Sequence, residues 1–194
     1  AASDVYKRQT NASNTYGWLG QFPKLTEWVG DRAVKDMKEH GYVVTNKLYE
    51  GTVGVKRTDI EDDNLGIYAP MFEEMGYAAA THPDELVFSL LGKGFSTNCY
   101  DGQFFFDKDH PVAVNVDGTG GNATVSNLID AAASPESKTP WYLLDVSRTL
   151  KPLIFQERTS PELQAITDGK NDTVFMKDQY LYGVRYRCNV GFGF

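Results

Sequence analysis

The sequence predicts an α+β fold. One long run of apolar residues at helical spacing, several short β-rich segments that do not alternate with further helices, and a composition able to fill a core point to that class. The chain has 194 residues, of which 41% are hydrophobic, 13% aromatic and 23% charged. Disordered chains lack that share of aromatic and aliphatic side chains, so a folded protein is expected.

The ends of the chain read differently from the middle. Residues 1–9, Ala-Ala-Ser-Asp-Val-Tyr-Lys-Arg-Gln, resemble the read-through translation of a sequencing-library transposon adapter and are left out of the expected fold. At the other end Gly191-Phe192-Gly193-Phe194 closes the sequence without a polar tail. Apolar residues at a terminus dock against something, so an absent partner element and a truncated gene product are expected.

Residues 10–30 form a short aromatic stretch in which Tyr16-Gly17-Trp18-Leu19-Gly20 and Trp28-Val29-Gly30 bracket Phe22-Pro23. Rings interleaved with glycines suit an extended arm anchored on another surface. Asp31 then caps a short helix that carries Val34 and Met37 on one face and stops at Gly41. Tyr42-Val43-Val44-Thr45, a bend at Glu50-Gly51, and Val53 and Val55 in alternation predict a long hairpin over residues 42–58. A weakly apolar hairpin is marginal by itself, so it is expected to lean on a neighbour.

The period then changes. Leu65, Tyr68, Phe72, Met75 and Ala79 recur at intervals of three and four, and a second run covers residues 84–91 after Thr81-His82-Pro83. Together they predict one long helical element interrupted near Pro83, with Pro70 at or near its start. Further on, Phe104-Phe105-Phe106 and Tyr142-Leu143-Leu144-Asp145-Val146 read as buried strands, Leu153-Ile154-Phe155 and Thr173-Val174-Phe175-Met176 as two short ones, and Tyr180-Leu181-Tyr182-Gly183-Val184 as another. Asp117-Gly118-Thr119-Gly120-Gly121 and residues 131–140 are breaker-rich surface segments.

Charge and composition narrow the function. A formal net charge of −7 argues against a surface devoted to phosphate backbones, and Arg185-Tyr186-Arg187 reads as a solvated strand face. The longest apolar run, Leu86-Val87-Phe88-Ser89-Leu90-Leu91, falls well short of the roughly 18 residues that cross a bilayer, and no secretory leader pattern opens the chain. The cysteines, Cys99 and Cys188, have neither disulfide-framework nor zinc-type spacing.

Four groupings could carry chemistry. Asp59, Glu61, Asp62 and Asp63 offer carboxylates for a hard cation, but they lack a calcium loop's glycine and distal Glu and suit a helix start or a subunit contact better. Asp107-Lys108-Asp109-His110 offers metal ligands or a general base for a hydrolase, yet Pro111 favours an extended, locally hydrogen-bonded loop. Cys99 with His110 would suffice for a thiol hydrolase, a pairing that arises readily by chance. Asp117-Gly118-Thr119-Gly120 is like an aspartyl-protease loop without its second copy. No enzyme, cofactor or metal is expected from these.

A series of longer strings carries a more specific signal. Asn14-Thr15-Tyr16-Gly17-Trp18-Leu19-Gly20, Glu27-Trp28-Val29-Gly30, Tyr49-Glu50-Gly51-Thr52-Val53-Gly54-Val55, Glu61-Asp62-Asp63-Asn64-Leu65-Gly66-Ile67-Tyr68-Ala69-Pro70, Pro83-Asp84-Glu85-Leu86, Tyr100-Asp101-Gly102-Gln103, Asp109-His110-Pro111, Tyr142-Leu143-Leu144-Asp145-Val146-Ser147-Arg148 and Phe175-Met176-Lys177-Asp178 together resemble the major head subunit of Mu-like phages, the gpT family, over residues 14–194. The resemblance implies a Hong Kong 97-like capsid fold. Residues 10–30 would be its N-terminal arm, 31–63 its extended hairpin loop, 64–93 its spine helix, and 94–194 the rest of the peripheral domain with part of the axial one.

It implies, too, a structural subunit of the virion capsid that is assembled in the host cytoplasm. Its expected partners are copies of itself in pentamers and hexamers, with scaffold or decoration proteins as further candidates. DNA would be enclosed without sequence-specific binding, and no membrane would be engaged. The residues expected at contacts between copies are Trp18, Trp28, Tyr49, Glu50, Lys56, Arg57, Asp59, Glu61, Asp62 and Asp63. A tail or host-surface binding module is the other non-enzymatic alternative, and the long helix speaks against it because such modules are usually all-β.

Overall fold

The computed structural model describes residues 10–16, 41–62, 66–114, 120–129 and 139–193, and the backbone of residues 4–8. The expected arm contacts Trp18 and Trp28, the short helix with Val34 and Met37, Asp63, Leu65 and most of the glycine-rich segment at 117–121 lie outside the described residues.

In chain order the elements are β1 (Asp4–Arg8), β2 (Ser13–Tyr16), β3 (Tyr42–Thr45), β4 (Lys47–Lys56), α1 (Arg57–Glu61), α2 (Tyr68–Gly92), β5 (His110–Ala113), β6 (Asn122–Val125), β7 (Leu153–Ile166), α3 (Asp172–Lys177) and β8 (Gln179–Phe192). They form a four-stranded sheet ordered β1-β7-β8-β4 and two small pairs, β2-β3 and β5-β6. The expected α+β class holds: among the described residues the strand pairs are antiparallel apart from β1 on β7, and the long helix α2 lies on a face of the main sheet.

The hairpin expected over residues 42–58 is absent. β4 runs straight through Glu50-Gly51 and pairs with β8 over ten residues, from Lys47 opposite Cys188 to Lys56 opposite Gln179, while β3 pairs with β2. The alternation was real, but it could not say which edge receives the strand, and the fourteen-residue β8 offers a longer ladder than a return onto β3. The register also sets Glu50 and Glu162 on either side of Arg185, so opposite charges face each other across three strands.

β1 is a second correction, because residues 4–8 do join the fold. They lie parallel to the start of β7, from Asp4 opposite Leu153 to Arg8 opposite Glu157. An open sheet edge recruits main-chain groups, and five residues without proline meet that need whatever their side chains. Near the end of the chain Phe192 is also docked, fully buried in a cluster with Leu153 and Phe105.

β7 shows where the core ends. Its residues Leu153–Glu157 are buried and those from Ser160 to Ile166 are exposed, with register shifts between Glu157 and Glu162 around Pro161, which has no N–H to give. Beyond that point β7, β8 and β4 leave the core as a three-stranded ribbon.

α2 lies along this sheet. Tyr68, Phe72, Met75 and Ala79 form its half-buried stripe, as the spacing predicts, and Val87 and Leu91 are buried at its inner end. Phe72 meets Tyr182 with ring centroids 4.4 Å apart, and His82 meets Tyr49 at 4.4 Å. The expected interruption does not occur, for the helix is continuous through Pro83. The Thr81 hydroxyl turns back onto the Tyr77 and Ala78 carbonyls, at 3.1 and 3.3 Å, in the turn the proline disturbs.

Three expected strands are not strands. Phe104 makes a single bridge with Asn98, and Phe105 and Phe106 turn into the core from an irregular loop. Phe105 stacks on Phe192 at 4.3 Å with 12° between the planes, so the aromatic run plugs a cluster rather than lining a sheet. Residues 141–146 form no strand: Tyr142 and Leu144 are half-buried, while Trp141 and Leu143 are 97% and 98% exposed. Residues 173–176 form α3 despite their β-branched start, because Asn171 accepts the Thr173 N–H at 3.0 Å and Asp178 takes a left-handed φ of 47° to end the turn. Asn171→Ala should cost about 1 kcal/mol of stability, seen as a lower denaturant midpoint with an unchanged slope.

The second layer is the β2-β3 pair, which packs Tyr16 and Val44 over Ile154. Gly191 permits that approach, since a Cβ there would come within 2.5 Å of a Val44 methyl. Gly191→Ala should therefore destabilise the chain, by about 1–3 kcal/mol, measurable in the same titration.

Candidate functional site

The described residues hold two places that chemistry or assembly could use. The first is the ribbon and its tip. Tyr49 is half-buried against His82 and faces α2, whereas Glu50, Lys56, Arg57, Asp59, Glu61 and Asp62 are exposed. Glu50 accepts the Thr52 hydroxyl at 2.8 Å, and Arg57 pairs with Glu61 at 2.7 Å one helical turn away. That hydrogen bond raises the Arg57 pKa further, and α1 is tied to the end of α3 by the Arg57 N–H on the Asp178 carbonyl.

Next to these lie two exposed apolar residues that sequence reading missed, Phe175 at 78% and Met176 at 77% exposed. They were assigned to a strand, where alternate residues would be covered; in a six-residue helix both fall on the open side. Leu143, within a stretch expected to be a buried strand, and Trp141 beside it are exposed as well. An open hollow of about 340 Å³ between β7 and α3, lined by Ala165, Ile166, Thr167, Asp168, Lys170 and Asn171, carries no converging acid and base.

The second place is a loop cluster. A turn closes over residues 99–103, with the Cys99 N–H on the Gln103 carbonyl at 2.8 Å and Gly102 at a φ of 87° that a side chain would strain. The Asp101 carboxylate accepts the Cys99 thiol at 2.9 Å, the Gln103 N–H at 3.0 Å and the His110 Nδ1 at 2.7 Å. His110 opens β5 and so reaches back over the turn.

The electrostatics follow from this. Burial, with the Asp101 carboxylate beside it, pushes the Cys99 thiol up to about 12. Burial also acts to raise Asp101, but its three donors outweigh that and hold the carboxyl below its usual range. A thiol so weakly acidic is the opposite of an activated nucleophile. Both free cysteines are buried, and burial near Glu157 pushes Cys188 up to about 11, so both should resist alkylation in the native chain at pH 8 and react on unfolding.

His110 therefore partners Asp101, which the sequence does not mark as a candidate for chemistry. Asp107 and Asn127 make local bonds instead: Asp107 Oδ1 takes the Lys108 N–H at 2.6 Å, and the Asn127 side chain bridges the Asp107 N–H and the Phe105 carbonyl at 2.9 and 2.7 Å. Among the described residues, the acidic run at 59–62 does not gather three donors at one point. Asp101→Ala would strand three donors and should cost about 2–3 kcal/mol by thermal or chemical denaturation.

Comparison with known proteins adds the biological frame. The family model described as Mu-like prophage major head subunit gpT matches residues 4–194. The chain is 58% identical over 182 residues to the major capsid protein of Escherichia phage Mu, covering 94% of this chain and 59% of that protein. It is 54% identical over 187 residues to the Mu-like prophage FluMu major head subunit of Haemophilus influenzae, covering 96% and 60%. The chain thus spans about 60% of the length of these curated relatives.

Among solved structures, it is similar over its whole length to a chain of the procapsid of bacteriophage JBD30, with a TM-score of 0.83, 63% identity and 64% of that chain covered. A chain of the JBD30 capsid decorated with minor capsid protein trimers gives a TM-score of 0.68 at 44% identity, with all of this chain and 62% of that one covered.

Proposed function

Because this chain belongs to the Mu-like prophage major head subunit gpT family, we propose that it is part of a structural subunit that self-assembles into the shell of a phage head and has no catalytic step of its own. The observation that carries this is the match to that family over residues 4–194. Physical support comes from the ribbon, whose exposed strands and apolar tip are of little use to a solitary domain.

In this reading the chain takes a Hong Kong 97-like arrangement. Residues 10–30 form the arm, 31–63 the extended loop, 64–93 the spine helix, and 94–194 the rest of the peripheral domain with part of the axial one. The 25-residue α2 lying along the long sheet supports the spine assignment. Contacts between copies use Glu50, Lys56, Arg57, Asp59, Glu61 and Asp62, with Phe175 and Met176 beside them at the tip.

The partners are then copies of this subunit in pentamers and hexamers, within a virion. A decorating protein is a further partner, since the JBD30 capsid is decorated with minor capsid protein trimers. DNA is enclosed without sequence-specific binding, which suits a net charge of −7. No helix among the described residues is long and apolar enough to cross a membrane.

Sedimentation of the purified full-length subunit tests the proposal. Large closed particles are expected, and a subunit that stays monomeric across protein concentration and salt would overturn it. Replacing Phe175 and Met176 together by Asp should raise the concentration needed for assembly by about tenfold or more.

A further inference from the structure

Cys99, Asp101 and His110 bring a sulfur, a carboxylate oxygen and an imidazole nitrogen to one point, with their donor atoms all within 4.8 Å of one another. The geometry is built rather than accidental. The 99–103 turn aims the thiol and the carboxylate at each other, and the first residue of β5 returns the ring to the same carboxylate. Cys99 and Asp101 are largely buried, and His110 is mostly covered, with its Nε2 buried and without a hydrogen-bond partner among the described residues. The ring's position therefore depends on Asp101.

We propose that this cluster binds a divalent transition metal of the zinc class, with Cys99 Sγ, an Asp101 carboxylate oxygen and His110 Nδ1 as protein ligands and solvent completing the coordination. The donor set selects the metal. Thiolate and imidazole suit borderline-soft ions, whereas calcium and magnesium need shells of oxygen that three mixed donors do not supply.

Size and charge agree with that choice. Metal-to-ligand bonds of about 2.0–2.3 Å place tetrahedral ligands roughly 3.3–3.7 Å apart. The two hydrogen-bonded contacts, at 2.9 and 2.7 Å, need to open by less than about 1 Å to reach that spacing. A doubly charged ion against one thiolate and one carboxylate leaves the site neutral, as a poorly hydrated place requires. On binding, the Cys99 thiol proton leaves to solvent and His110 Nδ1 must be free of its proton, so ion uptake is coupled to proton release.

The ion would act on the fold. Cys99 belongs to the cluster that holds Val87, Leu91, Phe105, Leu153 and Phe192, so coordination would staple the loop after α2 and the start of β5 to the main core. Without metal the Cys99 thiol and the His110 Nδ1 both bond to the Asp101 carboxylate, so the loop keeps its shape and binding adds rigidity.

The purified chain, stripped with a chelator and dialysed against zinc or cobalt, provides the test. One ion per chain is expected, with a thiolate-to-cobalt charge-transfer absorption and a melting temperature raised by about 5–10 °C at free metal a hundredfold above Kd. Cys99→Ser should abolish the absorption, His110→Gln should weaken binding tenfold or more, and Cys188→Ser should bind like the parent. A parent chain that takes up no stoichiometric metal, or that binds cobalt without the thiolate band, overturns the proposal whether or not the variants fold. So does a band that survives Cys99→Ser.

Discussion

Gln156→Leu is expected to lower the stability of the chain by about 4 kcal/mol, a quarter or more of a typical margin of roughly 5–15 kcal/mol. Gln156 is fully buried on β7, and its amide joins three elements. Its Oε1 accepts the Tyr16 hydroxyl at 3.0 Å, and its Nε2 donates to the Val44 carbonyl at 3.0 Å and to Asn46 Oδ1 at 2.7 Å. Leucine fills a similar volume but answers none of these groups, and each buried partner left short costs about 1–3 kcal/mol. The β2-β3 layer should loosen first. Hydrogen exchange would show residues 13–16 and 42–45 losing protection ahead of β8, and the denaturant midpoint would give the size. An unfolding free energy within about 1 kcal/mol of the parent's would mean the amide network is dispensable.

Phe105→Ala should cost about 3–5 kcal/mol. Phe105 stacks on Phe192 and meets Phe106 edge-on at 4.9 Å, in the cluster that closes the inner end of α2. Removing its ring leaves a cavity walled by two sheet residues and a helix, which cannot collapse without moving β7 or β8. Thermal unfolding of parent and variant measures it. Phe105→Leu should recover more than half of the loss, as volume-conserving changes do.

These residues also show how far the sequence could be read. The α2 stripe at Tyr68, Phe72, Met75 and Ala79 was legible because helical spacing is a local property, and so were Leu153-Ile154-Phe155 and Tyr180-Leu181-Tyr182-Gly183-Val184 as strand segments. The partner of β4 was not legible. Residues 47–56 alternate correctly for a strand in any sheet, and only β8, more than a hundred residues later, decides the pairing. Likewise Phe104-Phe105-Phe106 signals burial but not the form of the backbone that delivers it.

α3 illustrates a local conflict resolved by caps. Asn171 and Asp178 outweigh the β preference of Thr173 and Val174, and a reading that weighs capping before propensity would have found the helix and its exposed Phe175-Met176. The loop cluster had a weaker signal. Asp101-Gly102 marks a turn and His110-Pro111 an extended start, but nine residues separate the acid from the ring, and no spacing rule brings them together. Both the ribbon tip and the loop cluster are therefore tertiary features written in ordinary residues.

The central claim is that the ribbon and its apolar tip lie between copies of one shell-building subunit. An electron cryo-microscopy map of particles formed by the full-length subunit tests it most directly. Closed shells are expected in which Phe175, Met176 and the exposed face around Glu50 and Arg185 are covered by neighbouring copies. Shells in which these residues all face solvent, or a preparation that contains only single subunits, would contradict it.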